Sequence, residues 1–420
     1  MNEITARGGA ARAPGPAAFA PTIAPATAAT ALALLLGLQP VLTDLYLPAL
    51  PLLARELAAP MSATQLTMSA LILAFGLSQL VWGPVADRYG RRPVLLSSLC
   101  LLVFASIGAA LASGIGWLIV WRAAQGATMG ASVVCARAMV RDLYEPHQGA
   151  RVMSLGLSGL GVLAIGSPLI GGALATAFGW RSALAAVACF TLATLVFVWR
   201  CLPETLMLRN PRALHGPTLW ANAAEILSHP GFRAWALLVT ATYGGLFTLL
   251  ASSSFTYIEV LGLSPVGYGV AMATGSASYL AGTFFCRRWL LGKGLLGTVK
   301  RGAVFSLAGA LGMLLCALLP PLASVPFVLG AQCLFAFGHG IHQPCGQTGA
   351  VGPFPHMAGV AAALAGCALA LTAFVIGLWL GLAMDGTLRP MGLGLAFWGT
   401  TTALVAWTLV QRHGTLPRPA

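Results

Sequence analysis

Twelve stretches of this chain are almost purely apolar: 28–50, 65–86, 94–113, 117–139, 152–177, 180–200, 232–256, 266–286, 302–320, 325–346, 358–383 and 391–411. A helix rises 1.5 Å per residue, so roughly 20 apolar residues cross the roughly 30 Å hydrocarbon core of a bilayer. Inside hydrocarbon each backbone N–H and C=O must be bonded within its own segment, so the runs are predicted to be α-helices. Composition points the same way. With 58% hydrophobic and 8% charged residues, the chain has too few polar groups to cover a water-facing surface. A lipid bilayer is the expected partner.

The few charges lie unevenly. If successive runs alternate in direction, nineteen Lys and Arg residues fall on one side, including Arg7, Arg12, Arg88, Arg137, Arg141, Arg212, Lys293 and Arg418. Only Arg55, Arg181 and Arg389 fall on the other. Positive loops stay cytoplasmic, which predicts both termini and the middle loop in the cytoplasm. The +13 net charge therefore reports topology and gives no reason to expect a nucleic-acid partner. The nine cysteines are scattered without a C-x-x-C pair, which speaks against a disulfide framework or a zinc site. No metal and no cofactor is expected.

Six runs precede the longest polar stretch and six follow it. This predicts a disordered cytoplasmic N-terminus at 1–27, a six-helix bundle at 28–200, a cytoplasmic central loop at 201–231, a second bundle at 232–411 and a tail at 412–420. The N-terminal segment lacks an apolar stretch before its Ala-Phe-Ala, so it does not read as a cleaved signal peptide. A basic gap near Gly83 has a decayed counterpart near Gly282, roughly 200 residues on. Duplicated six-helix halves are the plan of large secondary carriers, which hold substrate between the halves and rock about it. The expected fold is all-α, with twelve membrane helices in two pseudo-symmetric bundles, working as a monomer.

The gap between the second and third runs reads GPVADRYGRRP, Gly83 to Pro93. Gly83 and Gly90 permit a tight turn, and Pro93 suits the first turn of a helix. Asp87 could cap the N-terminus of a neighbouring helix. Arg91 could pair with an acid on another helix, Asp142 being the best candidate. Gly83, Asp87, Arg88, Gly90, Arg91, Arg92 and Asp142 are therefore expected to form a gate on the cytoplasmic face; the plainer alternative is an anchor that only fixes orientation.

This loop, G-x-x-x-D-R-x-G-R-R, resembles the signature of the major facilitator superfamily. RAAQGATMGA, from Arg122, is similar to the superfamily's helix-4 motif. SPLIGG, Ser167 to Gly172, resembles its helix-5 antiporter motif, with Pro168, Gly171 and Gly172 in place, Ser167 where Gly is usual and Gly166 adjacent to it. DLYLPALP from Asp44, VRDLYEP from Val140 and FPHMAGVAAALAG from Phe354 resemble the bicyclomycin/chloramphenicol-resistance (Bcr/CflA) subfamily of drug:proton antiporters. The likeness runs from about residue 28 to 411 and implies the two-bundle fold and export of drug-like compounds against protons.

Charges at bilayer depth are expensive and default to functional candidates. Asp44 in the first run and Arg122 in the fourth are expected at one level, in the outer half of the first bundle. A permanently charged guanidinium that approaches and leaves a carboxylate would make it release and take a proton. The resemblance implies the same pair in proton coupling; a static salt bridge, or an Asp44 lying in the outer headgroup region beside Tyr46, is the alternative. Gln39 and Tyr46 flank Asp44, and one of them could face substrate. His339 and His342 share a helix face and could bind substrate or relay protons, or simply pack; the resemblance does not imply them. Glu259 and Asp385 are expected as solvated caps. The function expected is proton-coupled efflux of small hydrophobic drug-like compounds. The alternatives are a carrier of one metabolite (a sugar, an amino acid or a small peptide), a non-transporting structural subunit, and a membrane enzyme or receptor. No nucleophile–base pair supports an enzyme.

Overall fold

The computed structural model describes residues 23–415 except 208 and 212. Expectations for residues 1–22, for Arg212 and for 416–420 lie outside the described residues. All regular structure among those described is helical.

In the first half, α1 (Pro25–Thr43) passes through a turn at Asp44 to Tyr46 and a short helical turn at Leu47–Ala49 into α2 (Leu50–Glu56). The ladder falters there for a reason written in the sequence. Pro48 and Pro51 have no N–H to give the carbonyls four residues before them, Asp44 and Leu47. Then follow α3 (Met61–Tyr89), α4 (Arg91–Ala110), α5 (Ile115–Leu143), α6 (Pro146–Phe178) and α7 (Trp180–Cys201). The central stretch is not all loop: it carries α8 (Gly216–Ser228), which buries Ile226. The second half holds α9 (Pro230–Ser254), α10 (Pro265–Leu318), α11 (Val325–Val351), α12 (Ala358–Ala383), α13 (Arg389–Trp407) and α14 (Leu409–His413).

Ten of the described helical segments are long and apolar enough to cross a membrane. Two features reconcile this with twelve runs. The 54-residue α10 is two crossings, since Gly294 inside it has φ 63° and ψ −175° and turns the chain at one residue. α5 falls short on hydropathy because it carries Arg122, Gln125 and Arg137. The basic segment 287–301, expected as a loop, is thus helical on both sides of Gly294.

Within the first half α3 packs on α5, α4 on α5 and α7, and α1 on α6; in the second, α10 packs on α11 and α13, and α11 on α9. The halves meet along two seams, α3 with α12 and α6 with α10. Phe104, Leu111, Val162 and Leu382 point outward, exposed, as lipid-facing positions do. We call the face with the Gly83–Pro93 turn and the ends of the described chain the basic face.

Candidate functional site

A cleft of about 140 Å³ lies between the halves. Its walls come from both: Phe75 and Gln79 of α3 and Arg137 of α5 on one side, Tyr243 of α9, Gln343 of α11 and Leu369 of α12 on the other. It reaches the basic-face end of α11 at Ala350 and Val351. The opposite face is sealed. Along α3 and α12, Ser62 meets Gly381, Ser69 meets Gly377 and Gly76 meets Ala370, each too close for a Cβ on the glycine, before the pair opens at Gln79 and Gly366. Gln65 donates from Nε2 to the Ala251 carbonyl at 2.8 Å, and Arg55 pairs with Glu259 across the halves at 3.3 Å. Glu259 is therefore half of an ion pair, which its place at a loop edge did not reveal. Asp385 caps its own turn, accepting from Thr387 Oγ1 at 2.6 Å and Thr387 N at 3.0 Å. Those bonds hold its carboxyl below the usual range.

Arg122 is fully buried. Its Nη2 donates to the Leu42 carbonyl at 2.9 Å, its Nε to the Thr67 carbonyl at 3.4 Å and its Nη1 to Gln125 Oε1 at 3.0 Å. Gln125 donates in turn to Ser106 Oγ at 3.0 Å. The Tyr46 ring lies 4.5 Å from the guanidinium carbon, and the Tyr46 hydroxyl is 3.0 Å from Thr67 Oγ1. Helix ends leave carbonyls without partners, and Arg122 takes the Leu42 carbonyl at the end of α1. Arg122 and Asp44 thus share a level but not a contact. No ion pair joins Asp44 to Arg122 or to another cation among the described residues. Its carboxylate accepts from Thr43 Oγ1 at 2.8 Å and lies within electrostatic range of the Tyr243 and Tyr268 phenols of the other half. Tyr243 also lines the cleft, so Asp44 sits beside its closed end.

The helix-5 motif packs on that same point. A Cβ on Gly171 would strike the Leu45 carbonyl, next to Asp44, and one on Gly172 the Pro265 carbonyl of α10. The carbonyl of Pro168 presses on Gly269 in the same seam, whereas Gly166 faces open space. Ser167 is satisfied locally, donating to the Leu163 carbonyl at 2.6 Å.

On the basic face Arg91 pairs with Asp87 at 2.5 Å and with Asp142 at 3.3 Å. Asp142 also accepts from Thr205 Oγ1 at 3.1 Å. The carboxylate that caps a helix here is Glu204, not Asp87: it accepts from the Arg91 and Arg92 amides at 2.9 and 3.2 Å. Gly90 stands beside it with φ 110°, and a Cβ there would strike the Glu204 carboxylate. Gly83 has only an ordinary contact, 3.8 Å from Val134. Arg92 donates to the Trp199 carbonyl at 2.9 Å, and Arg88 lies over the Tyr89 ring at 5.5 Å. These contacts join the first half to itself and to the start of the central stretch, so in this state they do not bridge the two halves.

Of the four residues expected to face substrate, Gln39 lines the cleft. Tyr46 does not: it is fully buried beneath Arg122. His342 is bonded at both ring nitrogens into α10, to Ser306 Oγ and the Val299 carbonyl, each at 3.2 Å. His339 is buried against Thr242 Oγ1 at 3.0 Å and the Tyr279 ring. Neither histidine lines the cleft. The cleft's Gln79, Gln343, Gln347 and Tyr243 were not foreseen, because helices this apolar all round show no inward face.

A profile of the major facilitator superfamily matches residues 32–377. Multidrug resistance protein D of Escherichia coli is 30% identical over 80% of this chain and 83% of its own. The chloramphenicol resistance protein of Pseudomonas aeruginosa is 28% identical over 77% and 76%, and the bicyclomycin resistance protein homolog of Haemophilus influenzae 24% over 91% and 96%. Among solved structures, a bacterial homolog of the human lysosomal transporter Spinster, inward-facing and occupied, aligns at TM-score 0.71 and 15% identity over 93% of this chain and 98% of that one. The D-xylose-proton symporter aligns at 0.69 and 16% over 92% and 96%. Both share the two-bundle fold. The chain belongs to the major facilitator superfamily of small-molecule transporters, within its Bcr/CflA subfamily.

Proposed function

We propose that the protein is a proton-coupled exporter of small, mostly apolar drug-like compounds that works by alternating access as a monomer in the bacterial inner membrane. The observation that carries this is one cleft between two bundles, blind at one end, with a half-buried acid that joins no ion pair beside the blind end. The resistance named in its relatives fits export. Taking the basic face as cytoplasmic, the state described is inward-facing. Its cleft is smaller than the roughly 300–1,000 Å³ of a drug-sized pocket, so loading requires the halves to part further.

An ionised carboxylate in apolar surroundings is costly, and protonation removes most of that cost. A proton on Asp44 lets the blind end close around it; its loss favours water and an open far face. Arg122 anchors the end of α1 and so sets where Asp44 stands. The chain acts as a carrier and performs no covalent step.

In a pump-deficient bacterium carrying the wild type, resistance to several apolar drugs should rise several-fold, and Asp44→Asn at equal expression should abolish it. Wild-type resistance with Asp44→Asn would remove Asp44 from the mechanism. No resistance to any compound at good expression would remove the export reading.

A further inference from the structure

The cleft carries a charge that the transport cycle outlined above does not use. Arg137 lies in α5, which ends at Leu143. That places it about 9 Å along the axis inside the helix end, and its exposed side chain opens into the cleft. No carboxylate among the described residues lies within ion-pair distance of it, and none lines the cleft. The other polar walls are neutral: Gln39 and Gln79 from one half, Tyr243, Gln343 and Gln347 from the other. The Gln343 side-chain oxygen is buried there with no hydrogen-bond partner. The apolar part of the wall includes Ile72, Phe75 and Leu369.

A permanent cation in a cleft with low-dielectric walls focuses its field, attracting anions and repelling cations. The unpartnered glutamine oxygen asks for a donor, and the apolar side for a hydrocarbon body. We propose that this cleft selects amphiphilic organic acids: molecules with a carboxylate or sulfonate for Arg137, a hydroxyl or amine N–H for Gln343, and an apolar ring system against Phe75 and Leu369. This rests on the cleft being the transport site and narrows its substrates from apolar drugs in general to anionic ones.

The test is equilibrium dialysis of the full chain in neutral detergent against two probes on one ring system, anilinonaphthalene sulfonate and its trimethylammonium counterpart, each corrected for a detergent blank. Wild type should bind the anion at least about tenfold more tightly than the cation, the scale of one charge-assisted hydrogen bond. Arg137→Gln should weaken the anion by about tenfold and leave the cation unchanged or improved, with Arg137→Lys between. If wild type binds the cation equally or better, or if Arg137→Gln folds and keeps the preference, the proposal is overturned. If Arg137→Gln does not fold, the wild-type comparison and Arg137→Lys decide. Arg137-dependent binding of the anion in a chain that confers no resistance would uphold this selectivity while export failed. Resistance without charge preference would do the reverse.

Discussion

A buried guanidinium is tolerated only when its N–H groups find acceptors, and Arg122 finds neutral ones: two backbone carbonyls and a glutamine oxygen. Geometry therefore matters as much as charge. Arg122→Lys keeps the charge and gives up the planar fork that reaches α1, α3 and Gln125 together. Each lost charge-assisted bond is worth about 1.5–3 kcal/mol. The variant should elute as the wild type does, with a lowered melting temperature, and its proton-driven export should drop at least about tenfold. Export at the wild-type rate would show that positive charge alone suffices there. Asp44 and Arg122 were legible in the sequence because ionisable groups inside apolar runs are rare. Their relation was not. Helical rise gave the shared level, but only the packed fold sets the guanidinium on the Leu42 carbonyl and the carboxylate on Thr43 and toward the other half. Arg137 was legible only as one more basic residue on the cytoplasmic flank, because the sequence does not say that α5 continues beyond it as a cleft wall.

The turn from α3 to α4 shows what an element can and cannot announce. Gly90 takes a positive φ between two helices, which the Gly-rich turn made readable, and the Arg91–Asp142 pair was named from charge alone. The helix cap was misread, because the true carboxylate enters from 113 positions away. Glu204, just past the end of α7, sets its charge on the first amides of α4, where the helix dipole favours an anion. It also accepts from the amides of Thr205 and Leu206, at 2.9 and 3.0 Å, fixing the chain that leaves α7. Glu204→Ala removes both services. It should cost about 1 kcal/mol, the usual value of a lost cap, and lower the melting temperature by about 2–4 °C. Glu204→Gln keeps an acceptor and should lose less. A melting curve for Glu204→Ala that overlays the wild type would make the contact incidental. Two other elements were half-written. Pro48 and Pro51 explain the faltering of α1 near Asp44 inside a run read as one helix, whereas the charges of 287–301 looked like a gap between runs because nothing in them reveals that Gly294 alone makes the turn.

At the scale of the whole molecule, the duplicated plan was readable from run count, the spacing of the basic gaps and the nineteen-to-three split of Lys and Arg. The state of the molecule was not, since both states share one sequence. Which state this is follows from where the halves touch. Far from the basic face they interlock through small residues: Ser62 with Gly381, Gly172 with Pro265 and Gly269 with Pro168. Toward the basic face they part around the cleft. Alternating access requires these contacts to break once per cycle while the basic-face ends come together. The Ser62 Cβ lies 3.3 Å from where a Cβ on Gly381 would stand, near the roughly 3.5–4.5 Å spacing of a disulfide. The Ser62→Cys/Gly381→Cys pair should therefore cross-link readily when oxidised in membranes, and the bond should hold the far face shut. Export should then stop and return on reduction to the level of Gly381→Cys alone, whose Cβ must displace the Ser62 Cα 2.8 Å away, while Ser62→Cys alone stays active. Binding at the cleft should survive the cross-link, because its mouth opens on the other side. Full export by a completely cross-linked protein would mean that this seam never opens, and the path of the substrate would have to lie elsewhere than between the halves.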